Sequence, residues 1–448
     1  MPDFFKRFGF GLLLGATFIY LLGFSYFAPK VENSPESAPQ PQVDIAEVQV
    51  SLGRNLFFDP ILSGSKEISC ATCHGLGTGS SDGLSLGFGD GAVGVGMQRR
   101  VLDGNIPKQR IPRNAPALYN LADPEFSVVF HDGRLSIDET SVSGFNHPLG
   151  AAMPAGVQGI AAAQAFLPVL AEDEMAGHDD ENEISRALRP GTPESKLAAL
   201  QILADRVQGI KEYADGFAKV NGEMRDLSYV DIANAIGAYI EFEFRADNSP
   251  FDHYIQGEAV FNEAEYRGFQ LFYGEAGCSD CHSGAYQTDH KFHAIAMPQF
   301  GPGKGQGMTL QADLGRGGIT RQEIDNYRFL TPSLRNIALT APYGHTGAYS
   351  TLQGIIRHHL DPVTAFRNYQ PNEARMVDLE GAGDWRVMEH LWDSNAIAMA
   401  NELGTTELSD TDVNSIEAFL HTLTDPISQI SRLGAPVVVP SGLPINLK

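Results

Sequence analysis

The segments Cys70-Ala71-Thr72-Cys73-His74 and Cys278-Ser279-Asp280-Cys281-His282 both read C-x-x-C-H. No other feature of the chain constrains its fold as strongly. In this pattern two thiols add across the vinyl groups of one porphyrin edge, and the adjoining imidazole takes the iron, as in a c-type haem. One turn of chain brings both sulfurs to the same edge and delivers the histidine to the proximal face. The chain has four cysteines and the two motifs use them all, so none remains for a disulfide. Half of a zinc site would also begin C-x-x-C, but it needs further ligands close by. The pattern therefore predicts two covalently bound haem c groups.

The formal net charge of −23 disfavours nucleic acid as a partner and would steer cationic partners to the surface. Near the N-terminus, Lys6 and Arg7 precede an uncharged run from Phe8 to Phe27. Its length fits a spanning helix with a cytoplasmic N-terminus. Tyr26-Phe27-Ala28-Pro29 lacks the small-x-small pattern of a cleavage site, which favours an anchor in the inner membrane over a cleaved signal. Either form exports the body of the chain to the periplasm. The expected organisation is a signal or anchor segment over 1–28, a flexible tether over 29–44, a first haem domain over 45–248, a second over 249–430 and a tail over 431–448.

Periodicity predicts helices over Val48–Phe58, stopped by Pro60, over Glu194–Val220, over Tyr229–Phe244 with Ser228 and Asp231 as start signals, over Tyr266–Phe272 and over Thr411–Leu423. Ser249-Pro250-Phe251-Asp252 reads as a linker between the haem domains. The glycine-rich run from Gly75 to Gly96 is either backbone wrapped around a haem edge or a flexible surface loop. Asp289 to Arg316, with His290 and His293, reads as a second long loop. The fold class is mainly α, with two cytochrome c-like haem domains, long loops and few short strands.

Several separated motifs then agree. Arg113-Asn114-Ala115-Pro116-Ala117-Leu118-Tyr119-Asn120, Phe130-His131-Asp132-Gly133-Arg134, Phe329-Leu330-Thr331-Pro332-Ser333-Leu334-Arg335-Asn336 and Thr340-Ala341-Pro342-Tyr343-Gly344-His345-Thr346-Gly347 resemble the bacterial di-haem cytochrome c peroxidase and MauG family. The resemblance runs from about Val48 to Leu423. It implies a peroxidatic first haem, attached at Cys70 and Cys73 with His74 as proximal ligand and an open position for hydrogen peroxide. It implies a six-coordinate second haem on Cys278, Cys281 and His282. The family's sixth-ligand position falls at His359, giving bis-histidine ligation, with the adjacent His358 as the alternative. Glu174, in a Glu-Met pair, matches the distal acid. His131 stands where the family has an inter-haem tryptophan, and either bridges the haems or packs beside a turn. A calcium ion would be held by Asn114 and by the backbone carbonyls around Thr340 and Pro342.

The segment Phe166-Leu167-Pro168-Val169 through Glu174-Met175-Ala176-Gly177, with the Pro-Tyr-Gly-His and His-His-Leu-Asp-Pro stretches, resembles the MauG-like branch associated with methanobactin. That resemblance implies a peroxidase that uses hydrogen peroxide and high-valent haem iron to oxidise a partner protein, such as a tryptophan of a copper-binding protein. One alternative is a cytochrome c peroxidase that detoxifies peroxide with electrons from a small cytochrome c or cupredoxin. Another is a non-enzymatic di-haem electron carrier, in which both irons would be six-coordinate.

Overall fold

The computed structural model describes residues 47–101 and 106–445. Helix α1 (Glu47–Phe58) buries Val50, Leu52, Gly53, Leu56, Phe57 and Phe58. That stripe crosses helix α2 (Tyr229–Glu243), which begins at the predicted signal: the Asp231 carboxylate accepts from the Ser228 amide at 2.9 Å. At the crossing the chain has glycine. A Cβ on Gly53 would overlap the carbonyl of Ala235 and stand 2.9 Å from the Cβ of Tyr239.

The second half repeats this construction. Helix α3 (Glu263–Phe272), capped by the Asn262 side chain, precedes the second C-x-x-C-H motif. Helix α4 (Leu352–Leu360) follows later, and helix α5 (Asp410–His421) closes the half against α3. A Cβ on Gly268 would overlap the carbonyl of Ser415 and stand 2.8 Å from the Cβ of Phe419. Each haem motif thus follows a helix locked by a glycine onto a later helix, with an aromatic residue one turn beyond the contact. The largest apolar cluster draws on residues from Val50 to Ala246 together with Val439, and the next on residues from Phe251 to Leu423.

Among the described residues, strands are two or three residues long and form three small antiparallel sheets. Ala92–Val93 pairs with Arg100–Val101; Leu135–Ile137 lies between Val128–Val129 and Phe145–Asn146; Phe292–His293 pairs with Phe329–Leu330. Most of the remaining chain is helix and ordered loop.

Three expectations need correction. The predicted Glu194–Val220 helix is two, Pro193–Gln208 and Lys211–Asn221, parted at Gly209-Ile210. Ser249–Asp252 is not a linker: Ser249 caps a helix, Pro250–Ile255, whose Phe251 is fully buried and whose Asp252 pairs with Arg335 at 2.7 Å. The glycine-rich run is not a flexible surface loop, because residues 79–89 are all buried. Arg99, itself buried, holds it by donating to the carbonyls of Phe88 at 2.6 Å, Gly94 at 2.8 Å and Gly89. A guanidinium with five donors satisfies loop carbonyls that water cannot reach.

The two halves meet along a polar seam. Arg113 donates to Asp132 at 2.6 Å and to both oxygens of Asp313 at 2.6 and 2.8 Å. Arg110 pairs with Asp384 at 3.0 Å, and Ser85 donates to the Gly347 carbonyl at 2.6 Å. The C-terminal segment returns to the first half, where Ser441 donates to Asp59 at 2.7 Å.

Among the described residues no helix is long and apolar enough to cross a membrane. The anchor expected over 8–27 and the tether over 29–44 lie outside the described residues.

Alanine at Gly53 or Gly268 would force the crossing helices apart. Each substitution is expected to lower stability by about 1–3 kcal/mol, the usual cost of overpacking. Gly404→Ala, at a position open to solvent, should stay within about 0.5 kcal/mol. Thermal unfolding of the three variants checks this.

Candidate haem sites

The first motif makes a single helical turn, Cys70–Cys73, with Ser69 and Thr72 bonded at its start. His74 follows, and its Nδ1 lies 2.8 Å from the Ser80 carbonyl. A carbonyl only accepts, so Nδ1 carries the proton and Nε2 keeps a free lone pair. This half of the molecule holds a cavity of about 1020 Å³ of atom-free space, counting the solvent at its mouth, lined by Cys70, Cys73, His74, His131, Arg134 and Glu174 among mostly apolar walls. Burial pushes both thiols up to about 12, which keeps them neutral. The cavity beside this single cysteine pair is mostly apolar and, among the described residues, offers no second cysteine pair, which suits a porphyrin better than a structural zinc ion.

Glu174 reaches this cavity from a π-helical turn, Glu172–Ala176. Its backbone is braced from two sides: the Asp90 amide donates to the Glu174 carbonyl at 3.1 Å, and the Gly64 amide to the Met175 carbonyl at 2.7 Å. Gly89 lies directly under the turn, where any Cβ would overlap the carbonyls of Asp173 and Glu174. Burial raises the Glu174 carboxyl above its ordinary value, while the charge of Arg134 opposes the shift. Desolvation thus favours the protonated acid, the form that can donate a proton.

His131 also lines the cavity. Its Nε2 donates to the Asn114 carbonyl at 3.2 Å, and burial, helped by the Arg113 charge, lowers it to about 4. It is therefore a neutral imidazole at the seam. Nearby, His345 is buried and stacks on Phe329 at 3.6 Å between ring centres. Asn114 donates through Nδ2 to the Leu84 carbonyl at 2.7 Å and through its amide to the His345 carbonyl at 2.8 Å. Thr340 turns its hydroxyl to the Ile337 carbonyl at 3.2 Å. Gly347 packs against both Ser85 and Pro342. Among the described residues no cluster of three carboxylate, histidine or cysteine groups gathers there.

At the second motif, Gly277 takes a left-handed conformation before the turn Cys278–Asp280. His282 repeats the arrangement of His74, with Nδ1 donating to the Gln287 carbonyl at 3.0 Å. On α4, His359 donates through Nδ1 to the Ile355 carbonyl at 2.8 Å, again leaving Nε2 free. The rings of His282 and His359 stand 6.5 Å apart between centres. Two metal–nitrogen bonds of about 2 Å each, plus half of each ring, span about that distance. His358 has no free nitrogen, since Nε2 donates to the Ile295 carbonyl at 2.7 Å and Nδ1 lies 2.9 Å from the Tyr349 hydroxyl. One cluster, Cys281 with Asp289 and His293, lies close enough to hold an ion. It has a single sulfur, and that sulfur belongs to the haem-attachment motif.

The model of the di-haem cytochrome c peroxidase family matches residues 47–260. The methylamine utilization protein MauG of Methylorubrum extorquens is 30% identical over 331 residues, covering 73% of this chain and 72% of that protein. The cytochrome c551 peroxidase of Pseudomonas aeruginosa is likewise 30% identical, over 72% of this chain and 73% of its own length. This chain belongs to the di-haem cytochrome c peroxidase/MauG family. The crystal structure of a MauG-like protein associated with microbial copper homeostasis shares the fold, with a TM-score of 0.55 at 24% identity over 91% of this chain and 97% of that one. Like its relatives, a member of this family is an oxidoreductase acting on peroxide and carries two haem c groups. The donor set fits them: two cysteine pairs, and three histidines whose Nδ1 atoms are tied to carbonyls.

Sequence reasoning passed over several residues around the sites. Arg134 lies inside a quoted motif, and its guanidinium stacks 4.1 Å from the centre of the Phe130 ring. Gln164, at the end of an alanine-rich helix, lines the cavity with no signal in its surroundings. Arg99 and Tyr349 lie in irregular chain and act through partners that helical or strand periodicity does not expose.

His359→Ala is expected to turn the second haem from low-spin to high-spin, whereas His358→Ala should leave its absorption spectrum low-spin. The Soret and charge-transfer bands of the ferric variants decide between the two residues.

Proposed function

We propose that the protein is a periplasmic, MauG-like peroxidase that reduces hydrogen peroxide in the first cavity and draws the electrons from a partner protein. The asymmetry of the two sites carries this reading. Two imidazoles stand at opposed-ligand spacing in the second, while the first pairs one imidazole with a carboxylic acid that burial holds toward its neutral form. A plain electron carrier would give Glu174 no task.

In this reading haem iron supplies the coordination position that polarises peroxide and the redox capacity to store its oxidising equivalents. The residues do the rest. His74, its Nδ1 proton held by the Ser80 carbonyl, would hold the iron of the first haem through Nε2. Glu174 takes the proton from one peroxide oxygen and returns it to the other, so that the departing oxygen leaves as water; such positioned acid–base groups contribute about 10²–10⁴-fold. Arg134 offsets negative charge developing in the cavity. His131, a neutral imidazole on the wall of the first cavity, is the residue assigned to carry charge toward the second site. His282 and His359 would both hold the iron of the second haem, whose chemistry there is electron transfer. The domain boundary at 248–249, a calcium ion near Asn114, Thr340 and Pro342, and anchoring through residues 8–27 belong to the same proposal.

The partner proposed first is a copper-binding protein with an oxidisable tryptophan. The 30% identity to MauG and the association of the MauG-like fold relative with copper homeostasis support it. The equal identity to a cytochrome c551 peroxidase supports the second reading, in which a small cytochrome c or cupredoxin supplies the electrons.

The test is an EPR and absorption series on the diferric protein before and after one equivalent of peroxide, with no donor. Loss of both ferric signals with slow recovery supports the MauG-like reading. Loss at one haem, discharged at once by a reduced cytochrome, supports the second. No reaction in either the diferric or the half-reduced state leaves an electron carrier. Glu174→Gln should slow the peroxide reaction about 10²–10⁴-fold, measured by stopped flow; an unchanged rate removes Glu174 from the mechanism.

A further inference from the structure

Behind His359 the side chains form a continuous series of rings. His359 and His358 stand 6.1 Å apart between centres, His358 and Tyr349 5.2 Å, Tyr349 and Tyr369 5.5 Å, and Tyr369 and Trp385 6.3 Å. All fall within the range of ring–ring contact. Tyr349 and Tyr369 are buried, whereas Trp385 is half-buried and shares with Tyr369 an open pocket that also includes Met388 and Glu389. The series thus runs from the second haem's ligand to the surface, through the residue types most easily oxidised.

Its hydrogen bonds suit the task. His358 Nε2 must carry a proton to donate to the Ile295 carbonyl, so Nδ1 is the acceptor and the Tyr349 hydroxyl the donor, at 2.9 Å. Tyr369 donates to the Ala348 carbonyl at 2.6 Å. Of the two tyrosines, only Tyr349 donates to a nitrogen lone pair, whereas Tyr369 donates to a carbonyl.

We infer that Trp385, Tyr369 and Tyr349 are an electron relay between the pocket at Trp385 and the second haem, through which a one-electron donor outside the chain supplies the enzyme. One electron enters at Trp385 and one departs toward His359, each ring being oxidised and restored in turn. As Tyr349 loses its electron, its phenolic proton shifts to Nδ1 of His358, and it returns with the next electron. Two such electrons and two protons from solvent reduce one hydrogen peroxide to two waters. The inference rests on reading His359 as a haem ligand.

The holoprotein is treated with one equivalent of peroxide and no donor, digested, and mapped by mass spectrometry. With no donor the relay itself is oxidised, so oxygen is expected at Trp385. Trp392 is the internal control: it is 70% exposed, and among the described residues no ring contact joins it to the series. Tyr349→Phe removes a hydrogen bond that stabilises the oxidised ring and should cut the yield at Trp385 about tenfold. Tyr369→Phe repeats the test away from His358. Equal oxidation of Trp392, or an unchanged yield at Trp385 in both variants, overturns the relay.

A second measurement does not need peroxide. A photosensitiser attached through Glu389→Cys and oxidatively quenched after a flash withdraws one electron from Trp385, and oxidation of the ferrous second haem reports the arrival of that oxidising equivalent through the rings. Arrival should slow about tenfold in Tyr349→Phe; an equal rate overturns the relay. A low-spin spectrum that survives His359→Ala would instead show that the ligand reading has failed, while the flash experiment still reports whether the rings conduct.

Discussion

The structure depends on one close contact made twice. A helix can lie with its backbone against another only where a side chain is missing, and Gly53 and Gly268 supply that gap before the two haem motifs. At each crossing a carbonyl of the later helix occupies the position of the missing Cβ, and Tyr239 or Phe419 fills the space beside it. These crossings set where each C-x-x-C-H turn begins, and through it which way each proximal imidazole faces.

From that base the two sites diverge through local hydrogen bonds rather than through different scaffolds. His74, His282 and His359 each give their Nδ1 proton to a carbonyl, so each offers Nε2 as a donor. His358, one residue from His359, spends both nitrogens on protein partners. In the first site the carboxylic acid comes from a π turn seated on the backbone of Gly89, so the buried glycine-rich segment and the acid move as one piece. The segment is rich in glycine because other chain approaches within a side chain's radius, and Arg99 compensates the carbonyls that this crowding buries.

Much of this was legible beforehand, and for physical reasons. Haem attachment is a local covalent pattern, so its residues could be read directly; the helices of both crossings have strong apolar periodicity, and α2 has a capping signal at Ser228 and Asp231. The residues at 249–252 misled because a serine–proline pair marks a helix start as readily as a linker. The glycine run gave no sign of burial, because burial there comes from Arg99 and from the neighbouring π turn. The family's sixth-ligand position points to His359 with His358 as the alternative, but what occupies both nitrogens of His358 lies in Tyr349 and Ile295, both invisible to a count along one helix. The relay rings come from three separate segments and share no motif.

Arg113 lies at the middle of the seam, paired with Asp132 in its own half and with Asp313 in the other, all three buried. Separating such charges in a low-dielectric interior costs several kcal/mol per ion, so neither half can slide without breaking the triad. A seam of this kind does more than join two parts. Electron transfer is fastest when nuclei need not rearrange as charge moves, and a rigid, already polarised boundary keeps that reorganisation small. The ion triad therefore resists relative displacement of the two segments that carry the haem-attachment motifs.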